Sequence, residues 1–213
     1  MSDPALLYSF RRCPYAMRAR MALIVSGQPC IVREIVLRDK PAEMIAASAK
    51  ATVPVLCLPD GTVIDQSLDI MRWALGRHDP EAWLGQGGDD LIAENDGAFK
   101  YHLDRYKYPE RHASDPVAHR DAGLAILSNL EMRLAKSAHL CGENRSLADL
   151  AIMPFVRQFA ATDKGWFDAQ SIPRLRDWLT RHTDSPLFQQ TMRRLTPWQH
   201  GDAETWLVCE ATS

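Results

Sequence analysis

A chain of 213 residues, 46% of them hydrophobic, is long enough for one large domain or two small ones with a real core. Its 25 Lys and Arg against 27 Asp and Glu leave a net charge of −2, which removes the basic footprint that nucleic-acid binding requires. No apolar run approaches the roughly 18 residues of a membrane span, and "MSDPALLYSF" has Asp and Pro where a secretory leader would be basic and then apolar. A cytoplasmic protein with neither nucleic acid nor membrane as partner is expected.

Read in chain order, "ALLYSF" predicts a strand, "CPYAMRARMALIVSG" a helix ended by Gly27, and "CIVREIVL" a second strand. "KPAEMIAASA" predicts a short helix, "VPVLCL" and "TVI" two strands around the turn "PDG", and "QSLDIMRWALG" a closing helix. That order, βαβαββα, is an α/β unit over residues 1–77. The stripes Met17, Met21, Ile24 and Leu68, Met71, Leu75 recur at helical spacing and predict one apolar face on each of the two longer helices. Gly, Pro and Asp crowd residues 78–88, the expected linker.

Strand signals then vanish, and five helix-like segments predict an all-helical domain over 89–213. Within it "SLAD" predicts a capping box between Ser146 and Asp149, and Pro154 predicts a kink in the helix that follows. The tail "LTPWQHGDAETWLVCE" holds Trp198 and Trp206, too large to leave exposed, and is expected to pack back over the helical domain. Cys209 near its end reads as incidental.

Five cysteines without a C-x-x-C pair or zinc-ligand spacing predict neither a disulfide framework nor a metal site. Cys13 differs from the rest. It falls where the first strand gives way to the first helix, with Pro14 at the first helical position, so its sulfur is expected among unpaired helix N–H groups. Arg11, Arg12 and Arg18 add positive charge that would favour thiolate over thiol. An inert, packed cysteine is the alternative reading. At Val53-Pro54 a cis peptide would turn the Val53 backbone outward, and a trans proline at a strand edge explains the same letters. Gln66 and Ser67 at a helix start suit a carboxylate, and simple capping by Asp65 or Ser67 is the plainer account.

Together "CPYAMRARMAL", "TVPVL", "DGTVIDQSLDIMRW" and "SLADLAIMPF" resemble the glutathione transferase superfamily, and most nearly its omega-like and bacterial cysteine-containing members. The resemblance implies a thioredoxin-like N-terminal domain, an all-helical C-terminal domain, glutathione as co-substrate, no metal, and a homodimer. It makes Cys13 the nucleophile that forms a mixed disulfide with glutathione. It makes Val53 the backbone partner of the cysteinyl unit beside cis Pro54, with Gln66 and Ser67 holding the γ-glutamyl carboxylate and amine.

Three positions depart from the family pattern. Gln66 stands where Glu is frequent, Arg145 precedes the cap where an apolar residue is common, and Ala16 replaces a second cysteine, so glutathione must resolve the intermediate. The resemblance thus implies a thiol transferase or reductase acting on a small-molecule or protein disulfide, or on dehydroascorbate. Conjugation of glutathione to electrophiles and a non-catalytic binding module are the competing readings. The second substrate is expected in a cleft between the domains, with Phe99, Lys100 and Tyr106 as candidate lining residues; packing of these aromatics into the helical bundle is the alternative.

Overall fold

Four short runs in the first 64 residues and one near the end of the described chain build the sheet. The computed structural model describes residues 4–208, which fall into two units, 4–81 with 186–208 and 82–185. In the first unit the strands are β1 (Ala5–Ser9), β2 (Cys30–Glu34), β3 (Val55–Cys57), β4 (Val63–Ile64) and β5 (Trp206–Val208). They lie in the order β4-β3-β1-β2-β5. β1 runs parallel to β2, with Leu7 opposite Val32, and antiparallel to β3, with Leu7 opposite Leu56. Leu7, Val32, Val55 and Leu56 are buried, as central strands covered on both faces require.

The helices are α1 (Pro14–Ser26), α2 (Ala42–Ala47) and α3 (Ser67–Arg77), so the βαβαββα order is the one observed. Pro14 opens α1 without sacrificing a hydrogen bond. Gly27 closes it at φ 64°, a left-handed cap that glycine adopts without strain. Burial of α1 goes beyond the single stripe expected. Ala16, Ala19 and Ala22 are buried together with Met17 and Met21, and the helix packs against α3, β5 and the later helix α11 (Pro186–Thr191). Small side chains allow that close approach on several sides.

The tail differs from expectation. Instead of covering the helical domain, residues 197–208 join the first unit. Trp198 N–H donates to the Glu34 carbonyl (2.7 Å), Val32 N–H donates to the Thr205 carbonyl (2.8 Å), and β5 pairs antiparallel with β2. Arg33 lies over the Trp198 ring at 3.9 Å and pairs with Glu204. An unpaired edge of β2 is the physical reason, since its N–H and C=O groups need partners. Cys209 lies outside the described residues.

The second unit is helical: α4 (Asp89–Glu94), a π-helical turn (Asn95–Phe99), α5 (Lys100–Lys107), α6 (Pro109–His112), α7 (Pro116–Leu134), α8 (Leu147–Ala160), α9 (Lys164–Asp168) and α10 (Pro173–Thr183). The expected linker is divided, because Trp83 is fully buried and its carbonyl accepts the Leu147 N–H (3.0 Å). Gly123 lets α7 meet α8: a Cβ there would sit 2.6 Å from the Phe159 ring. No helix among the described residues is long and apolar enough to cross a membrane.

The capping box is present. Ser146 Oγ accepts the Asp149 N–H (3.4 Å) and the Asp149 carboxylate accepts the Ser146 N–H (2.9 Å). Asp149 also accepts from Leu140 N–H (3.0 Å) and Trp178 Nε1–H (2.8 Å). Burial pushes its carboxyl up, but hydrogen bonds from His139, Ser146, Leu140 and Trp178 outweigh that and bring it down to about 2.

Candidate functional site

The loop between β1 and α1 positions Cys13. A turn closes with Cys13 N–H donating to the Phe10 carbonyl (3.0 Å), and the Cys13 carbonyl accepts the Met17 N–H (2.9 Å), the first bond of α1. Cys13 is therefore the N-cap residue, with φ −74° and ψ 122°, and its side chain does not cap the helix. The half-buried side chain packs against Tyr8, Ile35, Met44, Val53 and Val55. Its Sγ lies 3.7 Å from the Val53 carbonyl oxygen. The Val53-Pro54 peptide is cis, which settles the choice that the sequence left open. Cys13, Val53 and Pro54 thus come together from separate elements.

Of the arginines expected at the sulfur, Arg12 is exposed and Arg11 half-buried. Arg18 is buried, and its Nε donates to Ser67 Oγ (2.9 Å) at the first residue of α3. Arg18 therefore ties the helix that carries Cys13 to Ser67. Gln66, the residue before α3, is exposed and makes no side-chain cap.

The sequence reading missed Arg20. It is 2% exposed, and its guanidinium donates to Ser9 Oγ and to the Arg11 carbonyl (2.8 Å). The Glu34 carboxylate takes the other side of the same residue, accepting the Arg11 N–H at 2.7 Å. Two buried charges thus hold the loop that ends in Cys13. Burial lowers the Arg20 pKa to about 10, against the opposing pull of Glu34 and Cys13, so the group stays cationic at neutral pH. Burial likewise raises the Glu34 carboxyl, against the Arg11 N–H and the charges of Arg20 and Arg11. Since a Cys13 thiolate stabilises the Arg20 cation, the cation equally favours the thiolate. The signal was available: Arg20 lies seven residues after Cys13, on the same helix face.

Three other cysteines lack this setting. Burial pushes the Cys30 thiol up to about 12 and raises those of Cys57 and Cys141, which leaves them protonated and poor nucleophiles.

The candidates in the helical unit do not converge in the same way. Phe99 is 2% exposed and packs on Phe159 with ring centroids 5.5 Å apart. Tyr106 packs on Phe159 (5.1 Å) and Trp166 (6.5 Å). Lys100 pairs with Asp104 one turn along α5. Both aromatic rings meet Phe159 within the helical unit. His139, Asp149 and His182 bring potential metal ligands within 4.8 Å of one another, a grouping that sequence spacing did not reveal. The Asp149 oxygens there already accept hydrogen bonds from Leu140, Ser146 and Trp178.

Two family models match the chain, "Glutathione S-transferase, N-terminal domain" over residues 7–82 and "Glutathione S-transferase, C-terminal domain" over residues 92–181. The chain belongs to the glutathione S-transferase superfamily. Solved structures of such transferases share its fold. Poplar glutathione transferase F1 is 19% identical at a TM-score of 0.75, over 89% of this chain and 97% of that one. A glutathione S-transferase from Xanthobacter autotrophicus is 22% identical at 0.69, over 85% and 94%. Gtt2 from Saccharomyces cerevisiae is 21% identical at 0.68, over 87% and 99%. A search of curated protein sequences gave no match. The family to which these domains belong uses glutathione as its substrate.

Proposed function

We propose that this glutathione transferase is an omega-like thiol transferase that works through Cys13. The observation that carries the reading is the position of Cys13: it is the N-cap of α1, 3.7 Å from the Val53 carbonyl, in a loop held by buried Arg20. Helix N-termini and cations both stabilise a thiolate. In the first step the thiolate attacks the glutathionyl sulfur of a mixed disulfide, R–S–S–G. The S–S bond breaks, RS⁻ leaves with the electron pair and takes a proton from water, and Cys13 holds the glutathionyl group. In the second step the thiolate of another glutathione attacks that disulfide, releasing oxidised glutathione and the Cys13 thiolate.

In this reading Val53 and cis Pro54 align the glutathione backbone, while Gln66 and Ser67 take its γ-glutamyl end. Dehydroascorbate or protein mixed disulfides are the proposed oxidants. Steady-state turnover of the mixed disulfide of glutathione and 2-mercaptoethanol tests the reading. Ping-pong kinetics are expected, with activity falling by at least about two orders of magnitude in Cys13→Ser, since covalent turnover needs the nucleophile. Unchanged turnover in Cys13→Ser, or transfer of glutathione to an electrophile that survives the substitution, would point to conjugation instead.

A further inference from the structure

An open pocket of about 610 Å³ lies in the first unit beside the loop that leads into Cys13. Four arginines line it: Arg11 and Arg12 from that loop, Arg38 from the segment after β2, and Arg194 from the segment after α11. Phe10 and Ile35 give it apolar wall. Ile35 belongs to the cluster against which Phe10 and Cys13 both pack, so the pocket adjoins the surroundings of the sulfur.

The charges in this pocket are offset only in part, by Glu34 acting on Arg11. Among the described residues none of the four guanidiniums lies within ion-pair distance of a carboxylate. The acidic group in the wall, Glu34, is 8% exposed, and its nearer oxygen is committed to the Arg11 N–H. The chain as a whole carries −2, so four cations around one cavity are a local concentration and not a generally basic surface. Such concentration focuses the field on an anionic ligand. Arginine forks match carboxylates, sulfonates and phosphates, and a cavity of this size suits a small organic molecule.

We infer that this pocket receives an anionic group on the second substrate, so that the preferred mixed disulfides carry a carboxylate, sulfonate or phosphate on the thiol that leaves. The inference rests on the thiol-exchange reading of Cys13. When Cys13 attacks the glutathionyl sulfur, the departing RS⁻ is the part that the pocket holds; the bonds made and broken are those given above, with glutathione as the reductant.

The test uses three preformed mixed disulfides of glutathione, with 3-mercaptopropionate, 2-mercaptoethanol and cysteamine, which differ chiefly in charge. At saturating glutathione, kcat/KM should rank anionic, neutral, cationic, with about tenfold or more between the ends at low salt and a smaller ratio at high salt. Arg38→Ala and Arg194→Ala, both at exposed positions, should each compress that ratio, and Arg194→Glu should compress it further. Equal kcat/KM for the three probes, with the neutral one turned over normally, would overturn the anion pocket and leave thiol exchange standing. No turnover of any probe, together with no glutathionyl adduct on Cys13, would overturn thiol exchange and this inference with it.

Discussion

Cys13 owes its position to Pro14, which starts a helix immediately after it, and to Arg20 and Glu34, which grip the Arg11 peptide from opposite sides. Pro14 was legible because its backbone consequence is local. The Arg11 clamp was hidden, since it depends on a strand end and a helix face meeting across the sequence. Arg18 likewise makes a contact that local sequence does not show, its guanidinium donating to Ser67 at the start of α3. Arg20→Met should leave the Ser9 hydroxyl and the Arg11 carbonyl short of a partner and take away the positive charge near Glu34. A loss of about 2–4 kcal/mol by urea unfolding is expected from stranded buried polar groups. Iodoacetamide alkylation of Cys13 should also slow at pH 7, with its pH midpoint moving up, because less thiolate is present. A stability loss with an unmoved midpoint would mean that Arg20 only holds the loop. Arg20→Lys, keeping charge without the fork, should preserve more of the midpoint than of the stability.

At the level of elements, the seven that build the first sheet domain followed from period and punctuation, because each is bounded by Pro, Gly or a turn. β5 escaped because three residues carry no readable alternation, and its pairing with β2 is fixed by an edge that needs covering. α6 and α9 escaped for a similar reason, being four and five residues long. The aromatic-rich stretch over the π-helical turn and α5 had two readings, and Phe99, the last residue of the turn, is buried against Phe159. Truncation after Thr196 should expose the β2 edge and remove the Arg33–Trp198 contact together with buried Leu207. A loss of about 3 kcal/mol is expected from one buried aliphatic side chain and one cation–π contact. Unchanged urea unfolding would show that the tail adds nothing to the sheet domain.

For the whole molecule, buried ionisable groups set the acid limit. Burial lowers the His182 pKa to about 4, outweighing the pull of Asp149. The unfolded chain therefore takes up a proton near pH 6.5 that the folded chain refuses, and stability should fall as pH drops from 6.5 towards 4, by at most about 3 kcal/mol. Asp149, held down to about 2, adds a further loss below the unfolded carboxylate value near pH 4. Glu34, with its carboxyl raised by burial, acts in the opposite sense, contributing stability at low pH that is lost as pH rises. His182→Phe should flatten the slope between pH 6.5 and 4 in urea titrations at stepped pH. An undiminished slope would assign it to other groups.

The superfamily fold was written in the order of the elements and in a few short motifs, whereas the choice of chemistry rests on one sulfur. Intact mass after brief exposure to oxidised glutathione, for the native chain and for Cys13→Ser, tests that choice most directly. The account predicts one glutathionyl adduct on the native chain, absent from Cys13→Ser and reversed by reduced glutathione. No adduct on the native chain, or the same adduct on both proteins, would contradict it.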